Sequence, residues 1–194
     1  MICKRNLGIL VALLVALTGC TLFTPPPIDP PAKIPIKALL LDRTAFSPTW
    51  EQAWVDADSP YAEEALETFG TQFTHPMPYP NIATFYIARF RSPDEAHATW
   101  EAVVQSDEQP SWTPHRRPLP SANLKADQQV MLCRDHAPPP EGPNPNSSFC
   151  TVHLRYGSYV VQFTTYIDNR SLLTVEFSWI LEVIDRKMAQ IPKD

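Results

Sequence analysis

The sequence predicts an α+β domain: an antiparallel sheet of about four to five strands, covered by helices on one face, in the order strand, helix, three strands, helix. Three observations predict it. Runs with the period-two alternation of strands occupy Ile82 to Phe90 and much of the stretch from Gln128 to Ile167. A helix start signal, Ser92-Pro93-Asp94-Glu95, stands between them. The C-terminal stretch then switches to apolar spacing of three and four, the period of a helix.

Taken in order, Ile36 to Leu41 opens the domain as an apolar run that suits a first strand or a short helix. Phe46, Trp50 and Trp54 are expected to plug one end of the core. Tyr61 to Phe69 reads as a short helix with Glu63, Glu64 and Glu67 on its solvated side. Pro76, Pro78 and Pro80 forbid regular structure, because each lacks a donor and restricts its predecessor. Ile82 to Phe90 follows as a strand apolar on both faces, which marks a central position.

Ser92 is an N-cap, Pro93 suits the first helical position and Glu95 the capping box, so a helix runs to about Ser106. The proline-bearing segment from Gln109 to Ala122 reads as a loop. Strands are expected at Gln128 to Arg134, Ser148 to Tyr156 and Ser158 to Ile167, the last two joined tightly around Gly157. From Ser171 to Gln190, Leu173, Phe177, Ile180, Ile184 and Met188 form one apolar row, with Leu172, Val175, Trp179 and Val183 beside it. Both rows should be buried, opposite Glu176, Glu182, Asp185 and Arg186. This order of elements resembles the small helix-on-sheet domains of envelope lipoproteins, such as the PsbP/Mog1-like group. The resemblance rests on element order and carries no site residue.

The N-terminus gives an address. Lys4 and Arg5 precede an apolar or small stretch from Leu7 to Leu17, far below the roughly 18–20 apolar residues a membrane-crossing helix needs. It has the length and flanks of a signal-peptide core. Leu17-Thr18-Gly19-Cys20 then resembles the lipobox of bacterial lipoproteins. That resemblance implies cleavage before Cys20 and diacylglycerol on its thiol, leaving residues 1–19 as signal peptide. It also implies a chain anchored in the cell envelope, facing the periplasm or exterior. Thr21, in place of an aspartate, would favour the outer membrane by the Gram-negative sorting rule. Residues 20–36 then carry the lipidated cysteine and a tether, and residues 37–194 make a single domain. Thr24 to Pro35 reads TPPPIDPPAKIP, which favours extended polyproline II, about 3.1 Å per residue and so some 40 Å of reach.

Composition removes several partners. All 21 acidic residues lie beyond the leader, while two of the 16 basic ones lie within it, which leaves the mature chain near −7. Such a chain, with no basic stripe, is not built for nucleic acid or for electrostatic docking on anionic lipid. Five glycines against 22 prolines leave no phosphate-cradling loop.

Cys133 and Cys150 are the cysteines left once Cys3 departs and Cys20 is acylated. In an oxidising compartment such a pair reads as a disulfide, here across neighbouring strands. The competing reading is zinc, since Cys133-Arg134-Asp135-His136 and Cys150-Thr151-Val152-His153 repeat C-x-x-H. Residues three apart on a strand point to opposite faces, which favours the disulfide. His75-Pro76-Met77 is a poor copper triplet, and the acidic group Asp56, Asp58, Glu63, Glu64 and Glu67 lacks calcium-loop spacing. With no hydrolase elbow, zinc-protease helix or dinucleotide fingerprint, the reading is a non-enzymatic envelope module without cofactor or metal. It would bind a partner protein or envelope ligand through proline loops or the sheet face free of helices. The alternative is a small-molecule or metal carrier using His75, Met77, His136 and His153.

Overall fold

Strand β3 (Asn81–Arg89) shows why the sheet forms. Ala83, Phe85 and Ile87 point to one face and are fully buried, while Ala88 is buried on the other. A strand apolar on both sides needs a layer on each. The computed structural model describes residues 34–55, 59–76, 81–108, 114–121, 123–135 and 147–192. The signal peptide, Cys20 and nearly all of the tether, together with Asp56, Asp58, Met77 and His136, lie outside them.

Around β3 the other strands are β1 (Glu51–Val55), β2 (Glu67–His75), β4 (His115–Arg117), β5 (Gln128–Asp135), β6 (Ser148–Tyr156) and β7 (Tyr159–Ile167). They form one sheet in the order β1-β2-β3-β7-β6-β5-β4, with every neighbouring pair antiparallel. The α+β class stands, but the sheet has seven strands rather than four to five. The simple strand-helix-strands order is correspondingly too short at its start.

Three misreadings explain the difference. Of the glutamates that suggested a helix over 61–69, Glu63 and Glu64 lie in the turn over residues 60–64 and Glu67 opens strand β2. There Thr68, Phe69, Thr71, Phe73 and Thr74 supply β-branched and aromatic side chains that fit a pleated surface. Residues 51–55 pair with β2 as an edge strand. His115-Arg116-Arg117, taken for loop, forms a three-residue edge strand held by pairing with Cys133, Leu132 and Met131.

The helices also occupy both faces, not one. Helix α1 (Pro93–Asp107) begins as its sequence dictates, with Ser92 Oγ accepting from Glu95 N at 3.2 Å. Ala96 packs with Ala88, Phe90, Val160 and Tyr61, and Val104 with Val130 and Leu132. Helix α2 (Thr174–Met188) covers the opposite face, where Phe177, Ile180, Leu181 and Ile184 join Phe85, Val152, Leu154 and Phe163. Each such side chain contributes about 1.5–3 kcal/mol by leaving water. Phe46 and Trp50 close one end of this main core, with their rings 5.1 Å apart, and a 3-10 turn over Ile36–Leu39 packs beside them.

The second apolar row of α2 departs from expectation. Val175 is 69% exposed and Trp179 48%, with Arg186 stacked 4.5 Å over the indole. Leu173, expected in the buried row, caps the helix from outside it and is 44% exposed. Asp185, expected in solvent, is buried and accepts from Tyr156 Oη at 3.1 Å and Lys125 N at 2.7 Å. Burial, together with that carboxylate, pushes the Tyr156 phenol well above its ordinary range. Between β6 and β7, Gly157 takes φ of 56°, the left-handed conformation a tight hairpin requires and glycine adopts without strain. No helix among the described residues is long and apolar enough to cross a membrane.

Candidate functional site

The Cys133 and Cys150 Sγ atoms lie 2.16 Å apart on directly opposed positions of β5 and β6, at disulfide distance. Both side chains enter the α2 face and are fully buried. His153, three residues on, points to the α1 face, as strand alternation demands. The two halves of the second C-x-x-H motif therefore diverge. Among the described residues no group of three or more histidine, cysteine or acidic side chains converges to hold a metal. His75 packs edge-on to Trp50, with the rings 5.5 Å apart.

His153 instead belongs to a relay the sequence did not reveal. Its Nδ1 lies 2.7 Å from Tyr61 Oη, and its Nε2 lies 2.9 Å from Asp107 Oδ2. Three separate elements meet there: the turn before β2, strand β6 and the last turn of α1. Burial, reinforced by the charge of Asp107, drives the Tyr61 phenol far above its ordinary value, so it keeps its proton. A carboxylate can only accept, so Nε2–H donates to Asp107 and Nδ1 accepts from Tyr61 O–H. His153 has no exposed surface and Tyr61 is 1% exposed. The relay resembles a catalytic triad in composition, but neither ring can meet a substrate. It ties α1 and the β1–β2 connection to the sheet.

Helix α1 crosses β5, β6 and β7 and reaches the Ala88 end of β3, and no described helix covers the same face of β2 and of the rest of β3. Register there sets Gln72, Thr84, Thr164 and Thr151 side by side across β2, β3, β7 and β6. The next row is Gly70, Tyr86, Gln162 and His153. A Cβ built on Gly70 would come within 2.7 Å of Cδ1 and Cε1 of Tyr86, so the tyrosine ring lies across the glycine. Gly70 is there because another ring occupies the space a side chain would take.

On the far side of the polar row Phe149 and Tyr166 pack, with ring centroids 4.9 Å apart. Thr164 Oγ1 donates to Thr151 Oγ1 at 3.3 Å. The amides of Gln72 and Gln162 and the hydroxyl of Thr84 have no partner among the described residues, although Gln162 is only 8% exposed. All these side chains are uncharged.

No family model matches the chain, and no curated protein matches it in sequence. In structure it is similar to the extracellular domain of PknH from Mycobacterium tuberculosis. The TM-score is 0.52 at 13% identity, over 79% of this chain and 94% of that one. At this identity the likeness is one of fold: an antiparallel sheet with helices.

Proposed function

We propose that the chain is a lipid-anchored domain of a bacterial cell envelope, held by diacylglycerol on Cys20. Its work is binding rather than catalysis. The observation that carries the binding role is a row of uncharged polar side chains, Gln72, Thr84 and Thr164, in register across β2, β3 and β7 on a face that no described helix covers there. Several features support the address. Leu17-Thr18-Gly19-Cys20 matches the lipobox, and the proline-rich stretch behind it would hold the domain off the bilayer. The Cys133–Cys150 pair suits an oxidising compartment, and the structural neighbour is itself an extracellular domain. A non-enzymatic role is favoured because, in the triad-like relay among the described residues, the imidazole and the phenol are buried and only the Asp107 carboxylate reaches solvent. The carrier alternative loses His153, whose two nitrogens are both engaged.

Photo-crosslinking in cells tests the reading. A photoreactive residue replacing Thr84, on that face, is expected to yield discrete adducts, whereas one replacing Glu101, on the outer side of α1, yields none. Equal yields from both positions, or none from Thr84, would reject the face as a binding surface.

A further inference from the structure

We draw no further inference here: the strongest candidate, the largely apolar pocket of about 180 Å³ between helix α2 and the turn at Phe46, walled by the half-exposed Trp179, carries nothing, because its one charged group, Glu176, already accepts from Leu173 N in the helix cap and nothing in the structure shows what covers it.

Discussion

Tyr61 and His153 stand 92 positions apart in the chain, yet phenol and imidazole meet at 2.7 Å in a site where neither ring reaches water. The contact fixes a turn to the middle of the sheet, and Asp107 extends it to the end of α1. Tyr61→Phe removes the donor and leaves Nδ1 buried without one. The expected loss is about 1–3 kcal/mol in unfolding free energy, seen as a lower urea midpoint at unchanged slope. A change under 0.5 kcal/mol would show that the relay carries no stability.

Gly70 and Tyr86 should behave as one unit. Gly70→Ala places a methyl where the tyrosine ring lies, and overpacking of this kind costs about 1–3 kcal/mol. Once Tyr86→Ala has vacated the space, the same substitution should cost nothing or help, since alanine suits a strand better than glycine. A double-mutant cycle measures this coupling, and simple additivity would contradict it.

The cystine closes a loop between residues separated by 17 positions. In the chain-entropy model its removal costs about 3 kcal/mol. The Cys133→Ser, Cys150→Ser double variant should unfold at lower urea, and dithiothreitol should shift the parent chain to the same midpoint. Reductant without effect on the parent would argue against the bond.

A pH dependence follows from Asp42. The Thr44 hydroxyl and backbone N–H, with Lys187 Nζ at 3.3 Å, outweigh partial burial and hold its carboxyl below the usual 3.8. A depressed carboxylate contributes stability that is complete above the unfolded value and is lost as pH falls through the folded one. The contribution should therefore be intact above about pH 4 and disappear below it. Carbon-detected NMR titration should place Asp42 below 3.8. In Thr44→Ala the value should move back up, and failure to move would assign the shift to some other group.

What was legible in the sequence was local. The Ser92 cap, the β6–β7 hairpin at Gly157 and the alternation of β3 each declare themselves within a few residues. Strands β1 and β4 did not, because short edge strands owe their conformation to the neighbour they pair with. Strand β2 was hidden by glutamates before it and a glycine within it, and that glycine makes sense only once Tyr86 lies over it.

The two-sided covering was visible in principle. Val160 and Val161 are adjacent in β7 and both buried, which one helical layer cannot achieve. Of the candidate site, the alternating Gln162, Thr164 and Tyr166 were readable as one strand face. Their alignment with Gln72, Thr84 and Thr151 depends on register between distant segments, which no local pattern encodes.

The claim on which the functional account depends is the anchor at Cys20. The measurement is the intact mass of the chain extracted from membranes without reductant. The account predicts a polypeptide beginning at Cys20, heavier by its acyl chains and lighter by the two hydrogens lost at Cys133 and Cys150. A chain beginning at Met1, or one cut elsewhere and free of lipid, would contradict it.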